Sequence, residues 1–439
     1  MEGIGSRHYQ DRIMAALYQQ AKTVASRYVR TGTGEHSLTL KLDALLTSKR
    51  WGYPLMLLLL VLVFWITLVG ADYPSGLLAL FFSWAENSLG HLLQMAGLPS
   101  ELQDFLISGV FRTAAWVVAV MLPPMAIFFP LFTFLEDLGY LPRVAFNLDN
   151  FFKRAGAHGK QALTMAMGFG CNAAGVIGCR MIDSPRERLI AILTNSFSPC
   201  NGRYPALIAL ASLFLGGGVV AALAVTGVVL AGAAFTFLAS WLLSRTILKG
   251  VPSAFILELP PYRKPLLGRI IIRSLLDRTL FVLARAVMVA IPAGVLTWCL
   301  AHLYIQDKSL ISHLVGLLDP LGKFLGLDGA VILAFILGLP ANEIVLPLLL
   351  MIYLSSGTLV EVDNLSFLGE ILKAQGWTGL TALNTMVLVL LHWPCGTTLL
   401  TIYRETGSWR WPLLAALLPT SFGLLTCLGL KALAGLMGL

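Results

Sequence analysis

The sequence predicts an all-α polytopic membrane protein that contains an inverted repeat. Of its 439 residues, 57% are hydrophobic and only 12% are charged, whereas about 25% of the residues of a soluble domain are charged. Several apolar segments have the roughly 20 residues that a helix needs to cross a bilayer. Two of these segments are interrupted by Gly or Pro next to polar residues, and interruptions in corresponding positions are typical of transporters with two related halves.

The composition also excludes several classes of protein. The formal net charge is +8, but most Lys and Arg residues lie in loops beside apolar segments, where membrane topology and anionic lipid explain them. We therefore expect membrane lipid, and no nucleic acid, as a partner. Residues 1–50 lack the early apolar stretch of a signal peptide. The six cysteines include no Cys-x-x-Cys pair, so we expect no disulfide framework.

Hydropathy and charge divide the chain into five parts. Lys49 and Arg50 precede the first apolar span, at about 51–70, and predict a cytoplasmic N-terminus. Polar residues such as Glu86 interrupt the segment 75–105, which we predict to be a separate helix at the outer interface. The predicted parts are a cytoplasmic N-terminal segment with a helix and a linker (1–50), the first span with the external interfacial helix (51–106), a first repeat (107–244), a cytoplasmic basic linker (245–279) and a second repeat (280–439).

The distribution of charge predicts a re-entrant hairpin in the first repeat. The loop 142–160 and the linker 245–278 are both rich in Lys and Arg, so both are expected in the cytoplasm. Three apolar segments lie between them, and three full crossings would place the two basic regions on opposite sides of the membrane. One segment must therefore turn back. We predict that it is 161–179, because this segment is short and contains four glycines.

The second repeat is predicted to have the same order of elements in the opposite orientation. A span at 280–303 leads to a loop with several acidic residues, which we place outside. The segment 329–354 contains two prolines and is predicted to be a hairpin inserted from the outside. Spans at 381–403 and 411–436 complete the repeat. Each repeat is then a span, a re-entrant hairpin and two further spans.

The interruptions place potential sulfur ligands at membrane depth. Cys171 and Cys200 lie in the first repeat and Cys395 lies in the second, each beside a helix-breaking residue. Thiolates prefer soft or borderline metals such as Fe(II), Cu(I) and Zn(II), whereas carboxylate and amide oxygens prefer harder ions. A mixed set suits a divalent first-row ion that binds and is then released. The alternative is that these cysteines are small buried apolar residues.

Three further residues supply oxygen at the interruptions. Glu343 stands inside an apolar run, and an ionisable residue within a membrane segment indicates a functional site. The alternative is a carboxylate that caps the broken helix or pairs with an arginine. Asn172 and Asn342 occupy corresponding interruptions, where they either bind an ion through the side-chain oxygen or satisfy backbone groups freed by the break.

Three residues are secondary candidates. His392 precedes the second Pro-Cys pair and is a ligand, a proton carrier or a packed interfacial histidine. Glu136 and Asp137 end the second span. They either attract a cation at the cytoplasmic mouth or form a solvated helix end.

Several motifs occur in a fixed order within residues 40–439. They are Gly168-Phe169-Gly170-Cys171-Asn172 with Arg186-Glu187-Arg188-Leu189 and Pro199-Cys200-Asn201-Gly202-Arg203, then Leu257-Glu258-Leu259-Pro260-Pro261-Tyr262-Arg263, and then Leu337-Gly338-Leu339-Pro340-Ala341-Asn342-Glu343 with Pro394-Cys395. The first group resembles the first gate region of the ferrous iron transport protein B (FeoB) family. The second group resembles the linker between the gate regions of that family, and the third resembles the second gate of its shorter-type members.

The resemblance implies a transporter and not an enzyme. It implies a permease of the bacterial inner membrane that imports Fe(II), the transported substrate, into the cytoplasm. The residues expected to contact the metal are Cys171, Cys200, Cys395, Glu343, Asn172 and Asn342. Two alternatives stay open, a nucleoside or other small-solute carrier of the same gate architecture and a non-transporting membrane subunit for a separate GTPase.

The resemblance also bears on partners. Family members usually carry an N-terminal GTP-binding domain, but this sequence contains no G-x-x-x-x-G-K-[ST] motif. We therefore expect no nucleotide on this chain. Three alternatives stay open: a separate GTP-binding protein is a partner, the chain is a natural or engineered membrane half, or transport is independent of nucleotide. A small cytoplasmic accessory protein and a homo-oligomer are further expectations.

Overall fold

The structure is a computed structural model that describes residues 2–28, 35–48, 50–216, 219–250, 262, 265–305, 308–355 and 365–437. Helices make up nearly all of these ranges, whose only strands are the antiparallel pair β1 (Tyr304–Ile305) and β2 (Lys308–Ser309). Six helices within them are long and apolar enough to cross a membrane, or seven if a pair bent by 109° counts as one span. The prediction of an all-α polytopic membrane protein is confirmed.

The N-terminal helices are α1 (Glu2–Tyr28), α2 (Glu35–Leu46) and α3 (Gly52–Met95). The predicted boundary before a separate interfacial helix over 75–105 is wrong, because α3 continues through Pro74 for 44 residues. A proline is tolerated within a membrane helix when neighbouring groups satisfy the carbonyl that it leaves free. Glu86 does not end the helix, since its carboxylate pairs with Arg112. At 1.5 Å per residue α3 is about 66 Å long, roughly twice the hydrocarbon thickness of a bilayer.

Two parts of the chain have the same order of elements apart from one additional helix in the second, at Leu365–Ala374, and the first covers residues 100–245. It begins with the short helix α4, a π-helical turn at Phe105–Phe111 and a long helix α5, and it ends with the long helix α11. Its helices are α4 (Ser100–Asp104), α5 (Arg112–Asp137), the amphipathic α6 (Tyr140–Arg154), α7 (Gln161–Gly170), α8 (Asn172–Gly178), α9 (Pro185–Thr194), α10 (Tyr204–Phe214) and α11 (Val219–Arg245). Short 3-10 turns lie at Cys179–Met181, Asn195–Phe197 and Asn201–Arg203.

The second part covers residues 267–437. Its helices are α12 (Leu267–Arg273), α13 (Phe281–His302), the amphipathic α14 (Leu310–Leu325), α15 (Gly329–Leu337), α16 (Val345–Leu354), α17 (Leu365–Ala374), α18 (Gly379–Leu391), α19 (Gly396–Thr406) and α20 (Arg410–Met437). A π-helical turn at Ser274–Leu280 precedes α13, and a 3-10 turn at Asn342–Ile344 precedes α16. The predicted spans over 189–214 and 381–403 are both interrupted at their Pro-Cys pairs, because proline cannot donate the backbone hydrogen bond that a continuous helix requires.

Turns in the two parts have the same local structure at a spacing of 170 residues. Asp149 Oδ1 accepts a hydrogen bond from Gly159 N (3.2 Å), and Asp319 Oδ1 accepts one from Gly329 N (3.3 Å). Each aspartate also pairs with a lysine four residues later. These turns join each amphipathic helix to the broken helix pair that follows it, so the two pairs begin in the same way.

The helices on either side of each interruption fold back on each other. Gly178 at the end of α8 lies against Met167, close to Thr164 near the start of α7. In the second part, Tyr353 near the end of α16 donates a hydrogen bond to Asp328, which caps the start of α15. We call these pairs the first hairpin (161–178) and the second hairpin (329–354). These contacts hold the open ends of each hairpin together, so the interruption between its two helices lies at the closed tip.

The N-terminal segment is fastened to α6 by a buried arginine. Arg143 is 1% exposed and donates from Nε to Asp43 Oδ1 (3.0 Å) and from a terminal nitrogen to Gly139 O (2.6 Å). Tyr262 donates to the same Asp43 oxygen (2.9 Å), and its ring lies 4.1 Å from the guanidinium carbon. Burial and the hydrogen bond to Asp43 raise the pKa of Tyr262 to about 12, so it stays a neutral donor. The other residues of the 257–263 motif lie outside the described residues.

Candidate functional site

A single extended residue forms the tip of the first hairpin. Cys171 has φ −154° and ψ 123°, between the end of α7 and the start of α8. The side chain of Asn195 fills the space beside Gly168 and Gly175, where an added Cβ would collide with it. Asn195 Nδ2 donates to Asn172 O (2.9 Å), so this side chain is also hydrogen-bonded to the first residue of α8. These two glycines thus leave room for Asn195 beside the break at Cys171.

The tip of the second hairpin has the same conformation and is attached to α19. Ala341, 170 residues after Cys171, has φ −148° and ψ 119°. Gly396 N donates to Leu339 O (2.6 Å), which holds the second Pro-Cys pair beside this tip. Cys395 Sγ lies 3.2 Å from Thr398 Oγ1. Both hairpin tips and both Pro-Cys pairs therefore meet in one region.

A cavity of about 30 Å³ lies between the two tips. It has room for at least one water-sized group, which needs about 10–15 Å³. The residues that line it are Met121, Met125, Gly170, Cys171, Asn172, Cys200, Asn201, Gly202, Asn342, Glu343 and Cys395. All six residues predicted to contact a metal are among them. The structure thus brings these six together around one cavity, although they come from four separate segments of the chain.

The two asparagines differ in how their amides are satisfied. When the Asn172 amide is oriented to suit its neighbours, its nitrogen donates to Gly168 O (3.0 Å) and Ser198 O (3.2 Å). This arrangement matches the structural alternative, in which Asn172 satisfies backbone groups freed by the break. Asn342 is 5% exposed, and neither its Oδ1 nor its Nδ2 has a hydrogen-bond partner among the described residues. A buried amide of this kind is a candidate ligand for something bound in the cavity.

Glu343 is half-buried and packs directly on the backbone of Gly202. An added Cβ at Gly202 would overlap the Glu343 carboxylate, so a glycine is required there for the carboxylate to reach the cavity. The guanidinium of Arg203 interacts electrostatically with Glu343, Cys200 and Cys395. The cavity wall therefore combines an acidic group and thiols. The positive charge of Arg203 acts on these groups, although Arg203 does not itself line the cavity.

The cysteines fall into two groups. Cys171 and Cys200 are buried and Cys395 is half-buried, and all three line the cavity. The remaining cysteines lie elsewhere and include Cys179, whose thiol donates to Gly175 O (3.3 Å). No three His, Cys, Asp or Glu side chains within the described ranges are grouped closely enough to hold a metal ion. A cation would therefore also need amide, backbone or water oxygens, or an approach of the two tips.

The secondary candidates do not line the cavity. His392 is buried, its Nδ1 lies 2.8 Å from Leu388 O, and its ring packs against Phe335 at 4.9 Å. This environment matches the packed alternative. Glu136 and Asp137 end α5, where Asp137 is exposed and Glu136 is half-buried.

Sequence reasoning missed several residues of the site, among them two methionines that line the cavity and a buried arginine that does not. Met121 and Met125 are one helical turn apart on α5, and both line the cavity. Arg203 is 1% exposed and donates from one terminal nitrogen to Ser196 O (2.9 Å) and Leu390 O (2.7 Å). It thereby joins the interruptions of the two parts. Arg203, like Glu343, is an ionisable residue within an apolar segment, and this feature indicates a functional site.

Comparison with known proteins identifies the family. The Gate family, described as nucleoside recognition, matches residues 118–214 and 283–409, which together make up half of the chain. The family described as ferrous iron transport protein B C terminus matches residues 225–277. No solved structure matches.

Three relatives are named for ferrous iron. The Fe(2+) transporter FeoB of Staphylococcus aureus is 30% identical over 86% of this chain and 56% of the relative. That of Methanocaldococcus jannaschii is 28% identical over 92% of this chain and 60% of the relative. The Fe(2+) transport protein A/Fe(2+) transporter FeoB fusion protein of Porphyromonas gingivalis is 28% identical over 85% of this chain and 49% of the relative. The chain thus spans about half the length of these relatives, and it belongs to the ferrous iron transport protein B (FeoB) family.

Proposed function

We propose that this chain is the membrane-embedded part of a permease that moves Fe(II) into the cytoplasm through the cavity between the two hairpin tips. The observation that carries the proposal is the convergence on one cavity of three cysteines, Glu343 and the amide of Asn342, which has no hydrogen-bond partner among the described residues. Relatives over most of this chain are named Fe(2+) transporters. Thiols and oxygens together suit a borderline ion such as Fe(II).

The arrangement favours binding followed by release. Conduction requires a site that is favourable enough to fill and weak enough to empty. Three thiols and one carboxylate line the cavity without forming a closed cluster, so a cation would keep part of its water shell. The Arg203 guanidinium interacts electrostatically with Cys200, Cys395 and Glu343 and therefore opposes a cation, although it does not line the cavity. This fixed charge is expected to weaken binding and to speed departure.

The two parts of the chain are, in this proposal, inverted repeats that sit in opposite orientations in the inner membrane. The repeated element order, the 170-residue spacing of equivalent turns and the alternation of basic and acidic loops support this topology. It places the N-terminus and the ends of the first hairpin in the cytoplasm. Transport would occur as one repeat moves against the other around the cavity.

A nucleoside is the second candidate substrate, because the matching Gate family is described as nucleoside recognition. The size of the cavity disfavours it. Sites for drug-sized ligands are about 300–1,000 Å³, whereas this cavity is about 30 Å³. A nucleoside would require a large opening of the hairpin tips.

The proposed partners are a separate GTP-binding protein and a small cytoplasmic accessory protein. The accessory protein is supported by the P. gingivalis relative, whose name describes a fusion with Fe(2+) transport protein A. A non-transporting subunit that only anchors a GTPase is the rival proposal. It predicts no flux of metal in liposomes under any condition.

The test is anaerobic Fe(II) uptake into proteoliposomes, with and without a candidate GTPase. We expect Cys171→Ser, Cys395→Ser and Glu343→Gln each to reduce uptake at least about tenfold, because each removes one ligand. Cys299→Ser is the matched control, since Cys299 is half-buried but does not line the cavity. Wild-type uptake in the three cavity variants, or competition by nucleosides but not by Mn(II), would contradict the proposal.

A further inference from the structure

Two helices lead away from the cavity side by side. Cys171 directly precedes α8 and Cys395 directly precedes α19, and both cysteines line the cavity. The two helices pack against each other, although α8 belongs to the first part of the chain and α19 to the second. Because both begin at the cavity, they run in the same direction. A solute that leaves the cavity toward their C-terminal ends must pass between or beside them.

An ion pair closes the far end of these helices. Arg180 follows α8, and its Nε donates to Glu405 Oε2 (2.8 Å) while a terminal nitrogen donates to Glu405 Oε1 (2.7 Å). Glu405 lies in the last turn of α19. Arg180 is 9 residues beyond Cys171, so the pair lies about 14 Å along the helix from the cavity. Bidentate pairing of this kind fixes the relative position of both groups.

The corresponding helices on the opposite side end differently. Among the described residues, α10 follows the Cys200 interruption and ends at Phe214, whose ring packs against Trp377 at 5.9 Å. Trp377 Nε1 donates to the hydroxyl of Tyr353 (2.8 Å) near the end of α16. Aromatic packing thus closes that side, whereas a charged pair closes the other. Arg180 is 68% exposed and Glu405 is 13% exposed, so water reaches the pair from outside.

We propose that Arg180 and Glu405 form the cytoplasmic gate of the cavity. The pair holds the first and second repeats together while the cavity is closed to the cytoplasm, and its separation lets α8 and α19 move apart so that the cation leaves. The inference rests on the proposed function for the direction of transport and for the identity of the cargo. The gate itself depends only on the two helices and their ion pair.

The test measures access to the cavity without using iron. Inside-out vesicles are treated with a membrane-impermeant methanethiosulfonate reagent, and the modification of Cys171 and Cys395 is followed by peptide mass spectrometry. We expect Arg180→Ala and Glu405→Gln to accelerate modification of Cys395 at least fivefold. The exchanged double variant R180E/E405R should return the rate toward that of the wild type, because it restores the attraction with the charges reversed.

The matched control is Asp183→Asn. Asp183 pairs with Lys160 within the first repeat and is exposed, so its loss should leave the modification rate unchanged. Unchanged modification in both Arg180→Ala and Glu405→Gln would overturn the gate, as would equal acceleration by Asp183→Asn. The two proposals fail separately. If the variants accelerate modification but the protein transports no Fe(II), the gate is supported and the proposal that iron is the transported ion is wrong.

Discussion

A substitution at Gly202 tests the position of Glu343 without replacing any of the proposed ligand residues. A Cβ added at Gly202 would lie 2.6 Å from Glu343 Cγ and would overlap the carboxylate. Carbon atoms in contact are normally about 3.5–4.0 Å apart. In Gly202→Ala the Glu343 side chain must therefore retreat by about 1 Å. Because the atoms that collide belong to the end of a flexible side chain, the loss of stability should stay within about 1–3 kcal/mol.

The expected result is a reduction of Fe(II) uptake of at least tenfold with little change in thermal midpoint. A displacement of about 1 Å in a reacting group can cost on the order of 100-fold in enzymes, and a metal ligand is similarly sensitive. Gly227→Ala in α11 is the matched control, since a Cβ there meets nothing within 4 Å. Uptake is measured in proteoliposomes and stability by differential scanning fluorimetry.

A second substitution, at Glu343, tests the same contact by compensation. Glu343→Asp shortens the side chain by one methylene group and should relieve the collision created by Gly202→Ala. The double variant G202A/E343D should then transport more Fe(II) than G202A alone. Wild-type uptake by Gly202→Ala, or an equal loss in Gly227→Ala, would refute the claim that this contact positions the carboxylate.

Three further predictions concern stability and pH. Asn342→Leu removes two polar atoms that have no partner among the described residues, each of which costs about 1–3 kcal/mol when buried. We therefore expect a higher thermal midpoint together with lower Fe(II) uptake. A lower thermal midpoint without lower uptake would make Asn342 structural. Asp43→Asn leaves the buried Arg143 without its carboxylate and should lower the unfolding free energy by up to about 3–5 kcal/mol. Tyr262→Phe, which removes only one hydrogen bond to Asp43, should lower it by about 1 kcal/mol. Equal effects of the two substitutions in chemical denaturation would count against the buried pair. Burial lowers the pKa of His158 from its usual value of about 6.5, so the folded state resists protonation and loses stability as the pH falls below about 6.5. His158→Asn should therefore reduce the fall in thermal midpoint on acidification. An unchanged fall would exclude this histidine as its source.

The helix interruptions could be predicted because their cause is local. Glycine or proline beside Cys171 and Asn342 stops a helix, and unpaired backbone at membrane depth must then be buried or line a cavity. The charge of the flanking loops indicated which apolar segments turn back. These two rules were sufficient to nominate Cys171, Glu343 and their neighbours before their positions were known. They say nothing about distances between segments that are far apart in sequence.

The features that were missed depend on tertiary contacts. Met121 and Met125 have the spacing of any pair of core residues on a helix, and only the position of α5 beside the hairpin tips makes them cavity residues. The continuity of α3 through Pro74 was also missed, because proline within a helix is normally a breaker. The cross-link made by Arg203 depends on the carbonyl of Leu390 in α18, which lies 187 residues later in the chain.

The two parts of the chain supply similar backbones but different side chains to the cavity. At a spacing of 170 residues, Cys171 in the first hairpin corresponds to Ala341, and Glu343 in the second corresponds to Ala173. Each tip therefore brings a ligand type that the other lacks. Because Cys171 belongs to the first hairpin and Glu343 to the second, the proposed site contains both only while the tips are close together. Movement of one repeat against the other would therefore separate these two groups, weaken the site and free the ion.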